Sequence, residues 1–266
     1  MALGDRVCII GKRGQVTIFI IVAMILVSAI VSYFLFFYND IGSQSFSKDP
    51  SDYIKSCVEK SVKPIVDNLE GHGGLYYNEL SDWEFISFDG MKVPLVCYTN
   101  VTKETCVNRH PLLQNADEKK IESLIKPILA KCFSDVVESF RPNIVKEGVL
   151  DFSVQITKNE ILLNIRKSIQ VSSEDGAASV AFDNFDTRIN SNLYDFIDIQ
   201  NAIVNMEASC DCAQSNCNAD LRVINLEYPY FSTSRFMTEN HEKIYTISSN
   251  LNKNKFVFGV KNCING

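Results

Sequence analysis

The hydrophobic pattern of this chain changes period three times. Residues 16–38 (VTIFIIVAMILVSAIVSYFLFFY) have no polar face, and these 23 positions pass without a charged side chain. At about 1.5 Å per residue, one helix of that length crosses the roughly 30 Å hydrocarbon core of a bilayer. Its β-branched residues weaken a helix in water. In lipid the backbone must satisfy its own hydrogen bonds, and a single segment does so only as a helix. Downstream the pattern becomes amphipathic. Ile54, Cys57, Val58, Val62, Ile65, Val66 and Leu69 recur at three and four. Asp49-Pro50 starts this helix as an N-cap with proline at the first position, and Glu70-Gly-His-Gly-Gly74 stops it. The same spacing links Ile121, Leu124, Ile125, Ile128, Leu129, Cys132, Phe133, Val136, Val137 and Phe140, after Asn115 and up to Pro142. Pro64 and Pro127 sit inside these two helices. A third amphipathic segment carries Leu193, Phe196, Ile197, Ile203 and Val204 behind an Asn190/Ser191 cap.

Elsewhere the period is two. Residues 83–88 and 91–98 predict a hairpin turned at Asp89-Gly90, a dipeptide suited to positive φ. Residues 149–157, 160–171 and 177–189 predict an antiparallel meander broken at Lys158-Asn159 and Ser173-Glu-Asp-Gly176. Phe152, Val154 and Ile156 alternate with Ser153, Gln155 and Thr157, so one face is buried and one is wet. Residues 221–226, 243–248 and 256–260 read as closing strands. The fold class is therefore α+β: one N-terminal transmembrane helix followed by a disulfide-bonded ectodomain of amphipathic helices packed on antiparallel sheet. The divisions are a basic leader at 1–15, the transmembrane helix at 16–38, a stalk at 39–50 and the α+β domain at 51–266. A subdivision of that domain falls near 190–210.

Charge sets the orientation. Arg6, Lys12 and Arg13 precede the apolar run, whereas Asn39 and Asp40 follow it and the next basic residue is Lys48. The excess of basic residues keeps the N-terminus cytoplasmic and exports the remainder, giving a single-pass membrane protein with an extracellular C-terminal domain. Without Arg6, Lys12, Arg13 and Asp5 the chain keeps 23 basic and 31 acidic residues, a net charge of about −8. Such a surface excludes nucleic acid as a partner.

Cysteine usage agrees with this topology. Cys8 lies before the apolar run, and Cys57, Cys97, Cys106, Cys132, Cys210, Cys212, Cys217 and Cys263 lie after it. An even number on the exported side predicts four disulfides. Cys57 and Cys132 occupy the apolar faces of the two proline-interrupted helices and pair when those faces meet. Cys97 and Cys106 bracket a polar loop of eight residues and pair locally. Of Cys210 and Cys212, one reaches Cys217 and the other ties Cys263, and the alternative is a tetrathiolate metal site using the same four residues. The short loop also holds Asn100-Val-Thr102, a candidate glycosylation sequon.

The junction Lys12-Arg13-Gly14-Gln15-Val16-Thr17-Ile18-Phe19 resembles the class III signal of archaeal type IV pilin-like proteins. That resemblance implies cleavage by a prepilin peptidase between Gly14 and Gln15, with the helix retained on the mature protein. The fifth mature position, often Glu in filament-forming pilins, is Phe19 here, which argues against filament assembly. The start also resembles uncharacterised single-pass envelope proteins of small archaea, as do Tyr53-Ile-Lys-Ser-Cys57, Gly73-Gly-Leu-Tyr76 and Lys255-Phe-Val-Phe-Gly-Val260. The implied partners are the lipid bilayer, the peptidase, and further copies or other envelope proteins.

Catalytic signatures do not emerge. No nucleotide loop, nucleophile elbow or H-E-x-x-H helix occurs, and His72, His110 and His241 are scattered. His72 between glycines reads as part of a helix-terminating turn. Glu227-Tyr-Pro-Tyr-Phe231 reads as strand-end packing, with an aromatic binding lip as the alternative. The sequence thus points to a cell-surface structural or adhesive protein without catalytic activity or cofactor. A monomeric membrane-anchored binding or receptor module is the alternative.

Overall fold

Two sheets are joined by helices whose buried faces follow the three-and-four spacing. The computed structural model describes residues 22–28, 50–77, 83–141, 143–172, 179–213 and 217–263. Gly14, Gln15 and most of residues 16–38 lie outside them. Residues 22–28 are helical, and among the described residues no helix is long and apolar enough to cross a membrane. Lys48–Gly266 form one compact unit.

Helix α1 (Pro50–Gly71) buries Ile54, Val58, Val62, Ile65, Val66 and Leu69. It packs along α2 (Leu113–Ser139), which buries Ile121, Ile125, Leu129, Cys132, Phe133 and Val136. The turn after α1 is fixed by backbone shape: Gly73 and Gly74 take φ of +63° and +82°. A Cβ on Gly74 would come within 2.7 Å of Leu113 Cδ2, and one on Gly73 within 2.8 Å of the Val257 carbonyl oxygen. Glycine is what lets this turn dock on α2 and a strand at once. Helix α3 (Leu193–Ala208) touches both other helices and strands of both sheets.

The smaller sheet contains β4 (Ile144–Glu147), β5 (Asp151–Thr157), β6 (Glu160–Ser172), β7 (Ser179–Asn184) and β8 (Thr187–Asn190). Strand β6 is central, with β4 and β5 pairing successive parts of it, and β7 and β8 doing the same. The result is the meander of residues 149–189 with each outer strand interrupted once. At one interruption Phe185 turns inward, fully buried, and meets Phe133 of α2 edge-on at 5.1 Å. Asp186 Oδ1 there accepts from the Ile165 amide, replacing a ladder bond.

The larger sheet has the order β1 (Phe85–Phe88), β2 (Met91–Tyr98), β11 (Lys255–Lys261), β10 (Lys243–Ser249) and β9 (Phe231–Met237), with β3 (Val107–Asn108) also on β2. The hairpin turn is at Asp89 and Gly90, both at positive φ. This sheet is mixed where the sequence predicts antiparallel strands, because β2 and β11 run parallel. Their connection contains most of the domain, so no hairpin constrains their direction. Tyr245, Ile247, Phe256, Phe258 and Val260 point to the helices and are fully buried. Phe196 of α3 stacks on Phe256 at 5.3 Å.

Three expectations are corrected. Residues 221–226 form a helix, α4 (Leu221–Glu227), where a strand is predicted; Asp220 caps it by accepting from the Arg222 amide. Only Ile224 is buried, so the apolar residues do not mark a sheet face. Strands β3, β4 and β9 are additional. The cap position of α3 is Asn192, which makes no side-chain cap bond, where the sequence places the cap at Asn190/Ser191; Ser191 just before it accepts from the Leu193 amide at 3.0 Å.

Candidate functional site

The two faces of the large sheet differ. Strand register places Ile86 opposite Val93, and Ile244 opposite both Gly259 and Phe236. By the period of two, these residues point away from the helix-facing row of Tyr245, Ile247, Phe256 and Phe258. Ile86, Val93, Leu95 and Ile244 nonetheless bury one another, with Phe88, Tyr98 and Val257 around them. Curvature makes this burial possible. Strands β1 and β9 are four strand steps apart, about 19 Å in a flat sheet. Their Phe88 and Phe236 rings have centroids only 4.9 Å apart. The sheet therefore curls, and its open face is concave.

A cleft of about 630 Å³ lies between the two outer strands. Its walls include Ile86 and Phe88 from β1 and Phe236 and Met237 from β9, and its end includes Glu239 and Glu242. Phe236 and Met237 remain 52% and 46% exposed. A volume in the range of small-molecule and peptide pockets with an apolar wall and carboxylates at one end can hold an apolar group carrying positive charge. Sequence reasoning missed this cleft because it missed β9, whose FSTSRFM run lacks the aliphatic alternation of the other strands.

The cysteines gather at three places. Cys57 and Cys132 join α1 to α2 with Cα atoms 6.2 Å apart, and Cys97 and Cys106 close their loop at 5.3 Å. Cys210 joins Cys217 and Cys212 joins Cys263, at Cα distances of 5.4 and 5.2 Å. The last two bridges touch: Cys217 Sγ is 3.1 Å from Cys263 Sγ, and the sulfurs of Cys212, Cys217 and Cys263 lie within 4.8 Å of one another. In reduced form these would be the thiolates of a metal site.

Beneath that cluster lies a buried polar network. Glu207 of α3 accepts from Lys243 Nζ at 2.5 Å, from the Tyr245 hydroxyl and from the Ala219 amide at 3.0 Å. Lys243 Nζ also donates to the Cys217 carbonyl at 2.6 Å, and Asn262 Nδ2 donates to the Glu207 carbonyl oxygen at 2.7 Å. Burial pushes the Glu207 carboxyl up, but the hydrogen bonds from Lys243 and Tyr245 outweigh it and hold the group below its ordinary value. Burial and the Glu207 charge push the Tyr245 hydroxyl up. All these partners are matched, so the network is a framework for the cluster and resembles no acid–base pair waiting for a substrate. Its signal in the sequence is Glu207 itself, four residues after Ile203 on the apolar stripe of α3.

Other buried acids stand apart. Burial raises Glu70, which accepts from Ser191 Oγ at 2.9 Å and Asn254 Nδ2 at 2.6 Å. Asp117 is raised well above its ordinary value by burial and then by the Glu118 charge, and its Oδ2 has no hydrogen-bond partner. His72 Nδ1 sits 2.8 Å from the Asn68 carbonyl, His110 packs on Trp83 at 4.5 Å, and His241 occupies the β9–β10 turn. In the aromatic lip, Phe231 packs edge-on against Phe196 and Tyr228 donates to Asp198, while Tyr230 stays exposed. Asn100 is exposed just beyond β2.

The class defined by these observations is a disulfide-bonded α+β domain with a mixed, curled sheet whose open face bears a cleft. Compared with known proteins, the chain matches no family model, no curated protein and no solved structure.

Proposed function

We propose that the chain is a membrane-anchored cell-surface structural or adhesive protein with a pilin-like N-terminus and no catalytic activity. The observation that carries this reading is the distribution of sulfur. Eight cysteines after the apolar run are bonded in pairs, and Cys8 alone precedes it. Disulfides form and persist on the oxidising side of a membrane. The described part of the run adds support: Met24, Ile25, Leu26 and Val27 are helical and about 60% exposed. Such a surface is stable in hydrocarbon and costly in water. The bilayer is then the first partner and prepilin peptidase the second, cutting after Gly14. Nucleic acid is no partner of a domain this acidic.

The cleft on the open sheet face favours a second reading, a monomeric binding or receptor module. The two readings share one topology, and labelling of intact cells tests it. A membrane-impermeant amine reagent should modify Lys119 and Lys126, exposed on α2, on intact cells without permeabilisation. Protection of both lysines until the cells are permeabilised would overturn the topology. Mass spectrometry of the same material should show Gln15 as the first residue, and a dominant intact peptide spanning residues 13–16 would remove the pilin-like assignment.

A further inference from the structure

We propose that the β1 edge of the cleft binds, as an added strand, an extended peptide supplied by another protein whose alternate side chains are apolar and whose end on that same face is basic. Hydrogen bonding along β1 says which groups are offered. The Leu95 amide donates to the Glu84 carbonyl, and Ile86 and Phe88 continue that inward-pointing set against Val93 and Met91. Phe85 and Ser87 therefore direct their N–H and C=O groups away from β2. Among the described residues β1 pairs with β2 alone. On β9, the Thr233 amide bonds the Asn225 side chain and the Thr238 amide bonds Glu242. Arg235 and Met237 thus point their backbone groups to the outer edge as well. Proteins ordinarily blunt such edges with charge, proline or a covering loop. Here all four residues of β1 line the cleft, and β1 holds no charged residue and no proline.

The chemistry of the occupant follows from the walls. Backbone groups of Phe85 and Ser87 pair with an extended main chain, which supplies affinity without sequence preference. Alternate side chains of an added strand then fall on the concave face, against Ile86, Phe88 and Phe236, where apolar residues fit. The charged residues lining the cleft are Glu239 and Glu242, both acidic. Lys92 lies over the Phe85 ring at 4.7 Å, and Phe85 points opposite to Ile86, so that cation is on the other face. Carboxylates at the cleft end select, for the concave-face side chain at that end of the strand, a basic residue over an acidic one. This inference rests on the adhesive reading only for where the partner is met, and the assay in discs and the labelling of cells fail independently.

The test uses the full chain in zwitterionic lipid nanodiscs and a fluorescent acetyl-Lys-Ser-Val-Ser-Val-Ser-Lys-amide probe, whose lysines and valines share one face of a strand, followed by anisotropy. Saturable binding is expected, and the counterpart with glutamate in place of both lysines should bind at least ten-fold more weakly. Two further probes carry N-methyl groups on all the serines or on all the lysines and valines. One of them should lose at least ten-fold, since only alternate amides face the β1 edge. Ser87→Pro removes an outward donor and spares the β1–β2 ladder, so it should weaken the probe at least ten-fold with an unchanged melting temperature. Phe236→Asp, on the opposite wall, should do the same and guards against local misfolding of the first variant. Absence of saturable binding, equal binding of both methylated probes, or full affinity in both variants overturns the proposal. A dimer that Ser87→Pro dissolves would assign the edge to a second copy and equally overturn it.

Discussion

The two faces of the large sheet carry similar residues to different ends. Toward the helices, Tyr245, Ile247, Phe256, Phe258 and Val260 are completely buried, and the row begins at the buried Lys243–Glu207 pair. Toward the open side, the inner strands bury Leu95 and Ile244, while Phe236 at the rim stays about half exposed. Apolar surface removed from water contributes roughly 25 cal/mol per Å², so the closed face stabilises the fold and the rim of the open face contributes little. The comparison teaches that aromatic content alone does not locate a core. Strand register and sheet curvature decide which aromatic is structural.

Breaking the closed face should cost most. Phe258→Ala and Lys243→Met are each expected to destabilise by about 3–5 kcal/mol in denaturant unfolding, the first by opening a cavity and the second by leaving Glu207 buried and unpaired. The Glu207 carboxyl lies below its ordinary value in the folded chain. Its contribution is therefore complete above the unfolded carboxylate range and is lost as pH falls through the lowered folded value. In Lys243→Met that acid-side loss should shrink, which a stability profile between pH 2 and 7 would reveal.

Next in size is the bridge between the helices that cover this face. Replacing Cys57 and Cys132 together by alanine removes a closure of 75 residues and should cost roughly 4 kcal/mol in the chain-entropy picture. Calorimetry of the double variant checks it.

Asp117 gives a smaller effect of opposite sign. Its carboxyl is raised in the folded chain, so the folded state holds the proton more tightly than the unfolded chain does. Stability is then full below the unfolded value and declines as pH rises toward the folded one. Asp117→Asn should remove that decline and gain on the wild type with rising pH. A pH-independent difference between the two would show that Asp117 does not titrate in this way.

Helix α1, helix α2 and the hairpin at Asp89-Gly90 were legible in the sequence because their signals are local: spacing, caps and a turn dipeptide. The meander was legible for the same reason, down to its central strand. Three features were not. Residues 221–226 carry strand-like apolar residues, but the Asp220 cap outweighs propensity in so short a segment. The parallel pairing of β2 with β11 joins residues more than 150 positions apart, and no local pattern encodes it. The cleft depends on that pairing and on sheet curl, so it too is invisible to periodicity. The helical spacing put Cys57 and Cys132 on apolar faces, but the choice between Cys210 and Cys212 as partner of Cys263 depends on loop geometry alone.

The most direct test of the two-face account is thermal unfolding of Phe236→Ser beside Phe258→Ala. Both remove an aromatic ring from the same sheet, on strands separated only by β10. The account predicts that Phe236→Ser melts within about 2 °C of the wild type, as surface changes of under about 0.5 kcal/mol do, while Phe258→Ala falls by more than about 6 °C. Comparable losses in the two variants would show that the open face is core and would contradict the assignment of its cleft to a partner.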